Sequence, residues 1–486
     1  MPARHITMQQ QVPDAIRAGI DRLRAELEVP TAFPAEVERA AADIAASGPL
    51  DEQAWGLGER VDHTDKPFVT IDPEGSMDLD QAMFLERAGD GVLVWYAIAD
   101  VAAWVEPGGP IDVEAHRRGQ TFYAPLERAP LHPSQLSEAA ASLLADGRPR
   151  PALVWRIELD AQGAQRSAHV ERGLVASRER LDYVGVQKML DEGKDSEWLE
   201  LLREIGQLRE QQEITRGGVS LNLPEQEIVA EGDDWRVVFR SPLPVEGWNA
   251  QISLLTGMAA AQLMLDAKQG IVRTLPTADE RDVRKLRAIA QSLRIEWPAD
   301  RGYPDFVRSL DVSQPSHLAM MTSCTRLFRG AAYTVVDETT AGGNLKHNAL
   351  AANYAHCTAP LRRLVDRYVG EVCVHLCSKT PIPAWVTDAL ATLPDEMRAS
   401  DQRAKKFERG IVDLTEALVL SSHVGQVFTG TVVEHDEKRD EGTISIPEPA
   451  TEGRIKGKDL ELGQEVSARL ETVDLTKGTV VFVATS

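Results

Sequence analysis

The sequence predicts a mixed α/β fold in three parts: an N-terminal helical segment, a large central domain and a C-terminal OB-fold β-barrel. Three observations carry this reading. The first sixty residues show apolar side chains at helical spacing. From about Phe68 strand patterns come first and helical patterns follow, as in one α/β domain of unusual size. After Gly425 short alternating stretches take over. A chain of 486 residues is too long for one ordinary domain. The expected parts are residues 1–61, 62–423 and 424–486.

In the first part Ile16, Ile20, Leu23 and Leu27 share one helical face, and Val29-Pro30 ends the run. Pro34 suits the first turn of a second helix carrying Val37, Ala41 and Ile44, which Gly48-Pro49 stops. Two readings stand for this pair. It is a helix-turn-helix unit, or a helical collar packed on the next domain. The segment is not net basic, which counts against a nucleic-acid-binding role.

In the central part, residues 92–99 form a continuous apolar run, as for a strand buried on both faces. Leu153, Trp155, Ile157 and Leu159 alternate with more polar neighbours and run into Asp160-Ala161-Gln162-Gly163, as in a hairpin. Thr277 and Glu280 have capping-box spacing before a helix that buries Val283, Leu286, Ile289 and Leu293. Residues 313–423 read as mostly helical. In the last part Val427, Thr429, Thr431 and Val433 alternate, and Ile444 and Ile446 alternate with Thr443 and Ser445. Strand signals recur near 453–456, 465–470 and 478–483. About five short strands in this space fit an OB-type barrel.

Composition narrows the function classes. No run of about 18 apolar residues is present, so no transmembrane helix is expected. Met1-Pro2-Ala3-Arg4-His5 lacks an apolar signal core, and a cytoplasmic location is the expectation. Cys324, Cys357, Cys373 and Cys377 form no CxxC pair, which points to buried free thiols rather than zinc. A formal net charge of −22 argues against a protein that coats nucleic acid. It leaves room for a nucleic-acid enzyme whose positive charge is confined to a channel.

The densest chemistry lies in Thr70-Ile71-Asp72-Pro73-Glu74-Gly75-Ser76-Met77-Asp78-Leu79-Asp80-Gln81-Ala82. Asp72, Asp78, Asp80 and Gln81 sit on a strand, a Pro/Gly turn and a return segment. Carboxylates packed so closely repel, and a bound cation compensates. Hard oxygen ligands at this density suit Mg2+ or Mn2+. Phosphatases that form an aspartyl-phosphate also use Asp-x-Asp, but on a strand running straight into the first Asp, whereas Asp78 follows a turn. A solvated acidic turn poorly explains apolar Leu79 and the flanking Val69-Thr70-Ile71 and Ala82-Met83-Phe84.

Further motifs follow in order: Tyr96-Ala97-Ile98-Ala99-Asp100-Val101, then Arg117-Arg118-Gly119-Gln120-Thr121-Phe122-Tyr123-Ala124-Pro125, then Leu136-Ser137. Far downstream stands Tyr354-Ala355-His356-Cys357-Thr358-Ala359-Pro360-Leu361-Arg362-Arg363-Leu364-Val365-Asp366. With the acidic segment, these resemble the signatures of the RNase II family, whose catalytic domain is called RNB. The resemblance covers roughly residues 62–423. It implies a processive 3′-to-5′ exoribonuclease that releases nucleoside 5′-monophosphates with Mg2+, or Mn2+, as cofactor. It implies catalytic, metal-holding carboxylates at Asp72, Asp78 and Asp80, and an arginine at Arg362 that approaches the scissile phosphate. A structural salt bridge is the other reading of Arg362. Tyr123 falls where the family places an aromatic clamp near the 3′-terminal bases, and alternation lets only one of Phe122 and Tyr123 face inward. His347 matches a family histidine, where a structural role is equally open, and His356 shares that ambiguity.

Basic charge is focused at Arg362, Arg363 and Arg367, and at Arg454, Lys456 and Lys458, which alternate along an expected strand and would meet RNA phosphates. A solvated charged edge is the alternative for the second trio.

The chain departs from the family pattern in three places. Gln81 stands where the family has a fourth Asp; its amide oxygen can still ligate but carries no charge. Asn249-Ala250-Gln251-Ile252-Ser253-Leu254-Leu255 replaces a helix that usually carries paired glutamates. The helical first sixty residues cannot hold the cold-shock barrels with which many members start. The expected partner is the 3′ end of single-stranded RNA, the expected state a monomer. Gln81 keeps a competing class open: an RNB-like RNA-binding protein with little or no hydrolysis.

Overall fold

A computed structural model of the chain describes residues 6–8, 14–51, 58–125, 127–194, 196–221, 225–231, 234–436, 439–449 and 451–485. The expectation made on Met1–His5 lies outside these residues. A strand, β1 (Ile6–Met8), precedes the helices α1 (Asp14–Glu26) and α2 (Ala35–Ser47), so the first sixty residues are not wholly helical. The pattern was not visible because β1 is three residues long and pairs with a segment more than 200 residues downstream.

The centre is a seven-stranded sheet. Its strands are β2 (Val61–Asp62), β3 (Val69–Asp72), β4 (Gln81–Ala88), β5 (Gly91–Ala99), β8 (Arg150–Leu159), β9 (Gln165–Val175) and β10 (Glu179–Asp182). Between β5 and β8 lie α3 (Pro110–Arg118) and the two-residue strands β6 (Phe122–Tyr123) and β7 (Arg128–Ala129). The sheet order is β10-β3-β4-β5-β8-β9-β2, antiparallel from β3 through β9 with a parallel strand at each edge. The apolar run of residues 92–99 is the middle strand, β5, and its side chains alternate between two cores. Val94, Tyr96 and Ile98 pack beneath helices on one face, while Ala97 and Ala99 face α2 and α3 on the other. The expected hairpin is β8 and β9.

Downstream come α4 (Tyr183–Asp191), α5 (Glu197–Arg216), β11 (Glu225–Glu231), β12 (Asp234–Arg240) and α6 (Pro244–Ala267). β1 pairs with β11, and β11 with β12. The long α6 is apolar nearly all round and runs through the main core, where Ile252, Leu255, Ala259 and Met264 are fully buried. Burying the side chains of Ile252, Leu255 and Met264 stabilises the fold by about 1.5–3 kcal/mol each. Next are β13 (Gly270–Thr274), α7 (Glu280–Ser292), α8 (Tyr303–Arg308), α9 (Pro315–Cys324), β14 (Ala332–Val336), α10 (Leu364–Ser378), α11 (Ala384–Leu390) and α12 (Leu393–Leu420).

Three local expectations change. The cap of α7 is Asp279, whose carboxylate accepts the Arg281 N–H at 2.7 Å, not a Thr277–Glu280 box. Leu286 and Ile289 of α7 are buried, as expected, whereas Val283 and Leu293 are only partly so. The stretch 313–423 contains β14 and a non-helical segment before α10. α1 and α2 do not share a core: Ile16, Ile20 and Leu23 pack with Ile411 and Leu414 of α12, while Val37 and Ala41 pack with the sheet. Each helix packs on a later element rather than on the other.

The C-terminal strands β15 (Val427–Asp436), β16 (Glu441–Ile446), β17 (Thr451–Lys456), β18 (Glu465–Asp474) and β19 (Thr479–Ala484) close into a barrel of order β15-β16-β17-β19-β18. Ala417 and Leu420, at the end of α12, enter its core. Cys324, Cys357 and Cys373 are buried free thiols, and Cys377 is partly buried. Among the described residues no helix is long and apolar enough to cross a membrane.

Candidate active site

The acidic segment is built by a strand that ends and a strand that begins. β3 delivers Asp72, the chain turns through Pro73–Gly75, and β4 starts at Gln81. Gly75 has φ +83°, a left-handed conformation that favours glycine. Leu79 is fully buried and anchors the return segment in the core. Buried Ser142 clamps the backbone on both sides of Asp78: its Oγ accepts the Leu79 N–H at 3.0 Å and donates to the Met77 carbonyl at 2.6 Å.

Asp72, Asp78, Asp80 and Gln81 line one cavity of about 620 Å3, together with Tyr123, Arg128, Asn249, Arg362 and Arg363. Asp80 is 5% exposed. Its Oδ1 accepts the Leu361 N–H at 2.7 Å, and its Oδ2 lies 3.7 Å from Arg362 Nε. Burial nevertheless pushes the Asp80 carboxyl well above the usual range, against the pull of Arg362. Burial, then the charge of Asp78, raises Asp72 to about 7. Asp78 Oδ1 lies 2.6 Å from Arg128 Nη1.

Gln81 is held at both ends. Its Nε2 donates to the Thr358 carbonyl at 2.6 Å, and its Oε1 accepts from the Tyr96 hydroxyl. The amide that replaces a charge therefore ties β4 to the loop before Arg362.

Arg362 and Arg363 diverge. Arg362 has a half-exposed side chain, whereas Arg363 grips Asp366, which also accepts the Ala359 N–H at 2.8 Å. Arg367 is buried, its Nη2 donating to the Val105 carbonyl at 2.8 Å, and is not on the cavity wall. Tyr123 faces the cavity while Phe122 is buried against Phe407, so the alternation holds. His356 is on the cavity wall, its Nδ1 2.6 Å from the Tyr333 hydroxyl, and burial holds it well below the usual imidazole range. His347 is not among the lining residues; it packs on Tyr354, and burial lowers it to about 4. Asn249 donates to the Tyr183 hydroxyl at 3.0 Å.

Sequence reasoning missed Arg128 and the wall of Arg273, Tyr333 and Asp401. Arg273 donates to Asp401 at 2.7 Å and lies over the Tyr333 ring at 4.3 Å. These residues come from β13, β14 and α12, and no local pattern marks them. The barrel trio lies off the cavity wall. Arg454 pairs with Glu441, Lys456 lies 4.0 Å from Glu471, and β17 ends at Lys456, so Lys458 sits in the following turn rather than on the strand.

The donor set suits a hard divalent cation. Asp80 is buried and Asp72 partly buried on one cavity, and burial disfavours the charged form of both more than Arg362 favours it. Among the described residues no three His, Cys, Asp or Glu side chains already form a closed ligand set. The third acid, Asp78, is engaged by Arg128.

The chain is similar to known proteins over most of its length. Ribonuclease R of Escherichia coli (strain K12) is 24% identical over 504 residues, which span 94% of this chain and 60% of that protein. The chain therefore spans less than two thirds of that relative's length. The structure of Mycoplasma genitalium RNase R in complex with ribose-methylated single-stranded RNA superposes with a TM-score of 0.83 at 21% identity, covering 97% of this chain and 78% of that one. Yeast Ssd1, described as a pseudonuclease, matches with a TM-score of 0.68 at 17% identity over 87% of this chain and 53% of its own. Residues 426–485 match the RNase II-type exonuclease C-terminal S1 domain. Residues 60–379 match the RNB domain, and the chain belongs to the RNB domain family.

Proposed function

We propose that the chain is a metal-dependent 3′-to-5′ exoribonuclease that shortens single-stranded RNA processively and releases nucleoside 5′-monophosphates. The observation that carries this is the meeting of Asp72, Asp78, Asp80, Arg362 and Tyr123 on one cavity, although they come from segments nearly 300 residues apart. Residues 62–423 act as the catalytic part, residues 424–486 as an RNA-binding part, and residues 1–61 as a collar.

Each side chain has a task that follows from its chemistry. Asp72 and Asp80 would hold the cation, and Asp78 would join them once free of Arg128. When bound, Mg2+ or Mn2+ supplies positive charge at the phosphate and activates water. Arg362 offers planar N–H donors to phosphate oxygens. Tyr123 stacks on the terminal base, a contact worth about 1–3 kcal/mol that is indifferent to base identity. Hydrolysis joins the water oxygen to phosphorus and breaks the bond to the 3′ oxygen. Arg363, held by Asp366, positions the loop that carries Arg362.

A second reading is an RNA binder with little hydrolysis. It is favoured by Gln81, whose oxygen is taken by Tyr96, and by the engagement of Asp78 with Arg128. Digestion of a 5′-labelled single strand with Mg2+ and with Mn2+ separates the two. Progressive shortening is expected; intact, retained RNA with both metals would establish the binder.

A further inference from the structure

Arg128 stands between two acids. Its Nη1 lies 2.6 Å from Asp78 Oδ1 and its Nη2 lies 2.6 Å from Glu138 Oε1. Strand register puts it there. β6 and β7 pair Tyr123 with Arg128 and Phe122 with Ala129. Phe122 and Ala129 enter the core shared by α1 and α12, which leaves Tyr123 and Arg128 on the cavity wall. Glu138 comes from the π-helical turn Leu136–Ala140.

The guanidinium and a metal ion compete for the same acid. A carboxylate oxygen 2.6 Å from a guanidinium nitrogen has less to offer a cation. A guanidinium a few ångströms from a divalent ion also repels it by several kcal/mol, even in a screened surrounding. Glu138 gives the guanidinium a second partner to rest on.

We propose that Arg128 is an internal counter-cation of the acidic site and that Glu138 draws it off Asp78, so that this pair sets how tightly the acids hold a divalent ion. Both are positioning residues, and the inference rests on the reading of Asp72, Asp78 and Asp80 as the metal-holding set. The two substitutions then act in opposite directions. Arg128→Gln removes the competitor and tightens binding. Glu138→Gln leaves Arg128 to Asp78 alone and weakens it. A role confined to holding the fold would weaken binding in both variants or alter it in neither.

The test is a Mn2+ titration of the full, metal-stripped chain, with free Mn2+ read by electron paramagnetic resonance, on the unaltered protein, R128Q, E138Q and D80N. Thermal melts establish that each variant is folded. R128Q is expected to bind about threefold to tenfold tighter and E138Q weaker by a similar factor, the scale of one partly buried ion pair. Shifts of the same sign, or none in either variant, overturn the proposal. If R128Q does not fold, E138Q decides, and unchanged or tighter binding there overturns it. Equal Mn2+ binding by D80N and the unaltered protein would instead sink the metal-site reading itself, and the proposal with it.

Discussion

Asp80 is a carboxyl in a nearly dry place beside an arginine, where burial disfavours its charged form. Asp80→Asn preserves shape and can still accept the Leu361 N–H while removing the charge. Hydrolysis should fall at least about a hundredfold, with single-stranded RNA affinity in EDTA changed by less than about twofold. Single-turnover digestion and filter binding measure the two; lost binding would mean that Asp80 only holds the fold. Asp72 gives a pH signature. Its folded value of about 7 lies above the ordinary 3.8, so the metal-free folded chain keeps a proton that the unfolded chain releases. That contribution is full below pH 3.8 and is lost as pH rises toward 7, by about 4 kcal/mol at most. Partly buried His347, lowered to about 4, acts the other way and costs stability as pH falls below 6.5. Comparing urea unfolding of the unaltered protein and D72N in EDTA isolates the acid. D72N should gain relative stability between pH 5 and pH 8; a constant difference would refute the assignment. Asp72, Asp78, Asp80 and Tyr123 were legible because each sits in a short motif. Arg128 was not, because its meaning depends on Asp78 and Glu138 arriving from elsewhere.

Elements hold these side chains in place, and the acidic turn depends on one hydroxyl. Ser142 closes two backbone hydrogen bonds around Asp78 from a segment over sixty residues away. Ser142→Ala leaves the Leu79 N–H and the Met77 carbonyl without that partner, at a cost of about 1–3 kcal/mol. The released turn should also weaken Mn2+ binding severalfold. Urea midpoints and the Mn2+ titration check both; a loss of stability with unchanged Mn2+ affinity would show that the turn keeps its shape without the clamp. Elements were legible where a period was sustained. β5 followed from its unbroken apolar run, and β8 with β9 from alternation into a Gly-containing turn. The segment between β14 and α10 defeated periodicity because long-range contacts shape it. The Ala355 N–H donates to the Gly257 carbonyl at 3.0 Å, and the Arg273 N–H to the Tyr354 carbonyl at 2.8 Å. Those bonds shape the loop that leads to Arg362, and no nearby residue could have announced them.

Across the whole molecule α12 is the spine. Asp401, Lys405 and Glu408 face the cavity, Ile411 and Leu414 receive α1, and Ala417 and Leu420 enter the barrel. The barrel is thus anchored to the helix that walls the site. This is where the balance of charge decides what the barrel contributes. Arg454, Lys456 and Lys458 looked like a positive stripe, but Arg454 is matched by Glu441 and Lys456 approaches Glu471. Three free cations on single-stranded RNA would add about two to the slope of log affinity against log salt. With two of them partly neutralised, replacing all three by Ala should weaken binding modestly and lower that slope by about one. Anisotropy of a labelled oligonucleotide from low to moderate salt measures it. An unchanged slope would make these side chains a solvated barrel edge, whereas a drop near two would mean that RNA opens both ion pairs. In a chain of net charge −22 such local neutralisation matters. Under the proposed function, an RNA phosphate in the cavity would meet Arg362, half-exposed and 3.7 Å from Asp80.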